Sequence, residues 1–315
     1  MINKLYNILR LLRPRQWVKN LALFAAVTFT GELFNFPAVF PVILGFLVFC
    51  GISSASYIIN DILDIKNDRM HPFKRFRPLA HGDINTSFAA FLAAFMIVLS
   101  LGLSSLINPT FFLFTIVYLL LQIFYSTLLK TITVIDILVI ASGYILRVLG
   151  GEIASGYHIS VWLLLTTISI SLFLAIGKRR SELTLLSSSK VNNIAATRKT
   201  LSHYSERLLD VYASIFATST FIAYSLFTFL ENPRGINLSF GQVLLPDILP
   251  GFFQRKWLML TIIPVVYGLM RYLQDIYEKH EGESPEKVLF SDMPLLATVT
   301  IWVLMVILII YFVSP

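Results

Sequence analysis

Residues 36–69 read FPAVFPVILGFLVFCGISSASYIINDILDIKNDR, an apolar run that ends abruptly in a cluster of acids. The stretch 36–59 carries no charge, and about 20 largely apolar residues suffice to cross a bilayer as a helix. Beyond it, Asp61, Asp64 and Asp68 are spaced i, i+3, i+7. At about 100° per residue this puts three carboxylates on one helix face, with Asn60 beside them. Three like charges on one face repel, so the pattern predicts a cation there. Mg²⁺ suits it, because it takes oxygen ligands from one or two carboxylates, waters and substrate phosphates. Asn60, Asp61, Asp64 and Asp68 are thus the candidate metal ligands, and the three aspartates the candidate catalytic groups. The competing explanation is an acidic helix end solvated at the membrane boundary. Carboxylates this close to lipid are functional candidates by default.

Outward from this stretch, the 315 residues are 56% hydrophobic and only 14% charged, where a soluble domain carries about a quarter charged residues. Apolar runs near 17–33, 36–59, 88–107, 111–128, 134–151, 161–176, 211–230, 257–273 and 294–313 predict about nine spans. No long polar block could fold apart from them, so residues 1–315 are read as one all-α membrane bundle. With the N-terminus inside, the outer segments hold only Arg234, Arg255 and Lys256, and nearly all other Lys and Arg fall inside. That bias gives the net charge of +7 a cytoplasmic-loop origin rather than a nucleic-acid one. It also places the N-terminus and the long polar loops on the cytoplasmic side. Residues 1–20, polar and basic, read as an inner segment rather than a cleaved leader. Residues 190–209 predict a helix lying on the inner leaflet, and 233–250 an outer loop. Cys50, alone, permits no intrachain disulfide and reads as a small buried hydrophobe.

Directly after the acids comes His71-Pro72-Phe73-Lys74-Arg75-Phe76-Arg77-Pro78. The prolines favour a loop. Lys74, Arg75 and Arg77 could bind a phosphate beside the metal site or simply anchor the cytoplasmic face. Asp136, just inside the fifth span, is a candidate for substrate or metal contact, with pairing to a nearby cation as the alternative. Arg147 lies about 16 Å deeper and needs a partner or a wet cavity; Glu152 is the conceivable partner.

The Asn-Asp-x-x-Asp-x-x-x-Asp pattern at 60–68, the run Arg77-Pro78-Leu79-Ala80-x-Gly82 and the nine-span layout resemble the UbiA superfamily of membrane prenyltransferases. The resemblance covers nearly the whole chain. It implies a helical bundle around a central cavity opening to the cytoplasm. It also implies Mg²⁺ held by two acidic signatures, the second an Asp-x-x-x-Asp at the inner end of the sixth span. This sequence departs there: it reads Ala175-Ile176-Gly177-Lys178-Arg179-Arg180-Ser181-Glu182. With Glu182 aligned to the last Asp, Lys178 replaces the other. A group that recruits a cation has become one, so this half of the site should bind an anion directly.

Asp68-Arg69-x-His71-Pro72-x-Lys74-Arg75-Phe76-Arg77-Pro78, Tyr125-Ser126-x-x-Leu129-Lys130, Ser142-Gly143-Tyr144-x-Leu146-Arg147 and Gly177-Lys178-Arg179 are similar to the polyprenyl-phosphate phosphoribosyltransferase branch of that superfamily. That resemblance implies transfer of 5-phosphoribose from phosphoribosyl diphosphate (PRPP) to a polyprenyl phosphate in the bilayer, for cell-envelope arabinose donors. Mg²⁺ at residues 60–68 would hold the diphosphate. Lys74, Arg75 and Arg77 on one side, and Lys178 and Arg179 on the other, would tether the remaining phosphates. The lipid phosphate is already anionic near neutral pH, which fits a site with no Ser–His or Cys–His pair. Two rivals stand beside this reading. An ordinary prenyltransferase would need the second acidic signature. A transporter or lipid-binding protein would have no need of a one-faced carboxylate cluster.

Overall fold

A computed structural model describes residues 2–70, 74–188, 199–231, 257–278 and 285–313. The helices are α1 (Ile2–Leu12), α2 (Ala25–Phe29), α3 (Phe36–Leu63), α4 (Ile65–Met70), α5 (Pro78–His81), α6 (Thr86–Ser105), α7 (Pro109–Thr127) and α8 (Ile135–Ser155). They continue with α9 (Val161–Ser188), α10 (Glu206–Leu230), α11 (Ile262–Glu278), α12 (Pro285–Ser291) and α13 (Met293–Leu308). Among the described residues, eight helices are long and apolar enough to cross a membrane. They correspond to every predicted span except the first.

That first segment is built differently. Arg13 takes a left-handed backbone (φ 54°, ψ 58°) and Pro14 opens a 3₁₀ helix, Pro14–Phe24, that runs on into α2. At about 2.0 Å rise per residue in 3₁₀ and 1.5 Å in α form, the two pieces extend roughly 30 Å. The segment reads as apolar, yet it packs inward: Asn20, Leu23, Ala26 and Val27 are buried. Its backbone lies directly on α8 at Gly151, where a Cβ would stand 1.8 Å from the Leu23 carbonyl oxygen. Gly151→Ala is therefore expected to force the two elements apart and destabilise the fold by about 1–3 kcal/mol, as overpacking does. Gly102→Ala, on α6 with nothing within 4 Å of the new methyl, should be neutral or stabilising by up to about 1 kcal/mol. Thermal unfolding of the two variants in detergent checks both.

α3 is the hub, packing on α6, α7, α8 and the 3₁₀ segment; α8 passes to α9, α9 to α10, α10 to α11 and α11 to α13. The C-terminal turn closes the ring. The Leu33 N–H donates to the Tyr311 hydroxyl (2.8 Å), which lies 3.0 Å from the carbonyl oxygens of Val27 and Thr28. Helix starts are capped by Asn85, Asn108, Ser205 and Asp292, whose side chains accept from N–H groups of the first turn. These caps satisfy donors that a helix leaves open. Phe91, Val98, Val161 and Ile263 are exposed on the outer faces, an arrangement suited to lipid rather than water.

One expectation needs correction. Glu206–Asp210 is the first turn of α10 rather than part of a separate surface helix, because Ser205 caps it through the Leu208 N–H. Before it, Lys199–His203 is a 3₁₀ turn, and residues 190–198 lie outside the described residues. The predicted outer loop at 233–250 and the loop residues His71, Pro72 and Phe73 also lie outside them.

Candidate active site at the charged end of the bundle

α9 has 28 residues, about 42 Å at the α-helical rise, so its last turns extend beyond a hydrocarbon core of about 30 Å. Those turns carry Lys178 to Glu182, which meet the loop after the acids through Lys74 and Glu182. The acid cluster starts inside α3 and continues past a break. Asp64 caps α3 with φ −96° and ψ 6°. The helical bonds Asp64 N–H to Asn60 O (2.9 Å) and Asp68 N–H to Asp64 O (2.8 Å) survive on either side.

Each carboxylate carries a cation. Arg13 Nη2 donates to both oxygens of Asp61 (2.6 and 2.8 Å). Arg77 Nη1 bridges Asp61 Oδ1 (3.0 Å) and Asp68 Oδ2 (2.7 Å). Lys130 Nζ donates to both oxygens of Asp64 (2.7 and 2.9 Å). Asp61 is only 3% exposed. Burial raises the Asp68 carboxyl above its ordinary range, against the pull of Arg77. The three acids do not converge on one point: among the described residues no group of three acids, histidines or cysteines could hold a metal. Asp64, at the helix break, is drawn toward Lys130 and away from the Arg77 bridge. The donor set is nonetheless all oxygen, the class Mg²⁺ prefers. A cationic nitrogen already sits between Asp61 and Asp68.

The loop after the acids is pinned by Arg10, whose Nη2 donates to the Phe76 carbonyl (2.8 Å), and by Arg69, whose Nε donates to the Ala80 carbonyl (3.1 Å). Lys74 reaches Glu182 on α9 (3.6 Å) and links the two halves of the site. Arg75 is exposed and stacks over the Phe76 ring at 4.8 Å, apart from the acids.

On the α9 side, Arg179 is fully buried and its guanidinium lies among three oxygens. Nη1 meets Glu182 (2.6 Å) and Nη2 donates to the Tyr125 hydroxyl (3.0 Å). Nε lies 2.7 Å from Asp136 Oδ2 without its N–H aimed at that oxygen, so the contact is Coulombic. Asp136, 0% exposed, also accepts from the Tyr204 hydroxyl (2.8 Å). That hydroxyl accepts in turn from the N–H of Val134 (2.7 Å). Val134 holds φ +69°, ψ −46°, a costly conformation for a β-branched residue that Tyr204 fixes beside the site. Burial pushes the Tyr204 phenol up, so it remains a donor to Asp136. Asp136 thus meets a cation, the alternative that the sequence left open. Lys178 has no hydrogen-bond or ion-pair partner among the described residues, and the Asn60 carbonyl accepts from the Asp64 N–H. Arg13, Lys130 and Tyr204 join the site without having been singled out as contacts.

Deeper in the bundle, Arg147 is 4% exposed. It donates to Asn20 Oδ1 (2.7 Å), the Tyr118 hydroxyl (2.7 Å), Ser53 Oγ (3.3 Å) and the Gly143 carbonyl. Glu152 is not its partner: it sits 2.6 Å from His158 Nδ1. Five residues along a helix turn about 140°, so 147 and 152 face apart.

Comparison with known proteins agrees with this architecture. The profile of the UbiA prenyltransferase family matches residues 21–293. The decaprenyl-phosphate phosphoribosyltransferase of Corynebacterium glutamicum is 33% identical over 97% of this chain and 87% of its own length. That of Mycolicibacterium smegmatis is 32% identical over 96% and 91%. A UbiA homolog from Archaeoglobus fulgidus, solved bound to GPP and Mg²⁺, superposes with a TM-score of 0.66 at 19% identity, covering 96% of this chain and 99% of its own. The fold is therefore that of an integral membrane protein, an all-α polytopic bundle. The chain belongs to the UbiA prenyltransferase family, in which it groups with the decaprenyl-phosphate phosphoribosyltransferases.

Proposed function

We propose that the protein moves 5-phosphoribose from PRPP to a polyprenyl phosphate, releasing diphosphate, at the cytoplasmic face of the inner membrane. The observation that carries this reading is Lys178. With Glu182 aligned to the last acid of the family's second signature, it takes the place of the other, and it has no hydrogen-bond or ion-pair partner among the described residues. A cation in that position suits a substrate carrying phosphates beyond its diphosphate, as PRPP and a polyprenyl phosphate together do.

Asn60, Asp61, Asp64 and Asp68 would hold Mg²⁺, which when bound stabilises charge on a departing diphosphate. Arg13, Arg77 and Lys130 neutralise these acids and offer N–H donors that suit diphosphate oxygens through charge-assisted hydrogen bonds. Lys74 stays on the second half of the site through Glu182. Arg179 acts on substrate indirectly, by fixing Tyr125 and Glu182, since its side chain is fully buried. Arg75 contributes positive potential from the rim. The acceptor oxygen is anionic without a general base, so the residues need only hold two anions close and in line. The lipid phosphate approaches from the bilayer side, near Lys178.

The test offers purified protein two reactions: PRPP with a polyprenyl phosphate, and a prenyl diphosphate with an aromatic acid. Transfer in the first alone, lost with a chelator and restored by Mg²⁺, is the expected result. Lys178→Met should lower it about ten- to a hundredfold, the worth of a hydrogen bond to a charged group. Transfer only in the second reaction would return the protein to the ordinary prenyltransferases.

A further inference from the structure

Beside Lys178, across α9 and α11, stands a second polar group without a hydrogen-bond partner among the described residues. Tyr272 of α11 is 5% exposed, and its hydroxyl has no hydrogen-bond partner among the described residues. A buried hydroxyl left unpaired costs about 1–3 kcal/mol, so its persistence needs a reason. Its ring packs on Phe173 at 5.4 Å, and its polar tip is pressed against α9 at Gly177. A Cβ there would lie 2.9 Å from the Tyr272 ring and 3.0 Å from its oxygen. Only glycine lets the phenol come this close, and the next residue is Lys178.

The surroundings are those of an anion subsite. Lys19 reaches in from the 3₁₀ segment, its ammonium held by Glu286 (2.8 Å) and Gln16 (2.6 Å) and set over the Tyr144 ring at 5.7 Å. Lys19 lies within electrostatic reach of Lys178, and Tyr144 and Glu286 within reach of Tyr272. The Tyr57 hydroxyl donates to Gln16 (3.3 Å) and so faces the same space. An unpaired lysine and an unpaired phenol on two helices, joined at one glycine, offer an ammonium and an O–H to one ligand. That is the donor set for a phosphate monoester, with Glu286 holding Lys19 in place.

We infer that Tyr272 is a specificity-determining residue that donates its hydroxyl to a substrate phosphate monoester held by Lys178. The inference rests on the phosphoribosyl-transfer reading. Two sources share that chemistry, the 5-phosphate of PRPP and the phosphate of the acceptor lipid.

The experiment measures kcat and KM for each substrate in turn, in wild type, Tyr272→Phe and Tyr267→Phe. Activity of the wild type with PRPP and lipid phosphate tests the reading itself, independently of either variant. Tyr267 is exposed on the same helix and serves as the control. Given wild-type activity, Tyr272→Phe is expected to raise the KM for one substrate about tenfold, with the other KM and the melting temperature unchanged, while Tyr267→Phe changes nothing. A rise confined to PRPP assigns the 5-phosphate; a rise confined to the lipid assigns the acceptor. Unchanged constants for Tyr272→Phe, or an equal loss on both substrates together with a lower melting temperature, would overturn the inference. Gly177→Ala, which crowds the phenol, should reproduce the same selective rise wherever it folds.

Discussion

Asp61→Asn is expected to lower phosphoribosyl transfer at least about a hundredfold, the scale lost when one electrostatic contact to a reacting centre is removed. Asp61 is the most connected acid of the cluster, shared by Arg13 and Arg77 and 3% exposed. Asparagine keeps the volume and one oxygen but loses the charge. Removing one partner of a buried ion pair costs about 3–5 kcal/mol. Here the cost should be smaller, because Arg13 and Arg77 are 23% and 26% exposed and can turn to water. Activity should therefore collapse at temperatures where the variant is still folded, which paired assays of turnover and melting would establish. Asp83→Asn is the control: that acid pairs with His81 at the surface of the same loop and its loss should leave turnover unchanged.

Arg179→Met is expected to damage the fold before the chemistry. Arg179 and Asp136 are both 0% exposed. Losing the guanidinium strands a carboxylate where water cannot reach, with only the Tyr204 hydroxyl to serve it among the described residues. A penalty of about 3–5 kcal/mol follows, enough to unfold many proteins of ordinary stability. The double variant Arg179→Met, Asp136→Leu removes both charges and should recover most of the melting temperature, because a buried ion pair replaced by apolar groups is often near neutral. Its turnover should stay low, since Tyr125 and Glu182 lose the group that orients them. If the double variant is no more stable than the single, the pair is not the reason for the loss.

What the sequence made legible is what is local. The spans and the spacing of Asp61, Asp64 and Asp68 are patterns within one helix or one loop, and periodicity reads them directly. The cations that meet those acids are not local. Arg13 is 48 residues from Asp61 and Lys130 is 66 from Asp64. No spacing rule links them, and in the sequence both look like ordinary cytoplasmic anchors. Tyr204 beside Asp136, 68 residues away, is hidden for the same reason. The geometry of the first apolar segment was hidden because apolar content marks burial and not backbone form: Arg13 and Pro14 turn it into a 3₁₀ segment that Gly151 accommodates. The Arg147–Glu152 pairing failed on helix phase. The Lys178 departure was legible only against a family pattern, and its lack of a partner only in three dimensions.

The most direct test of the central claim uses PRPP labelled separately in the ribose and in the diphosphate, incubated with purified protein, Mg²⁺ and a polyprenyl phosphate. The account predicts that the ribose label enters the organic phase while the diphosphate label stays in water. Diphosphate label in the lipid, or no ribose label there while the protein turns over a prenyl diphosphate, would contradict it.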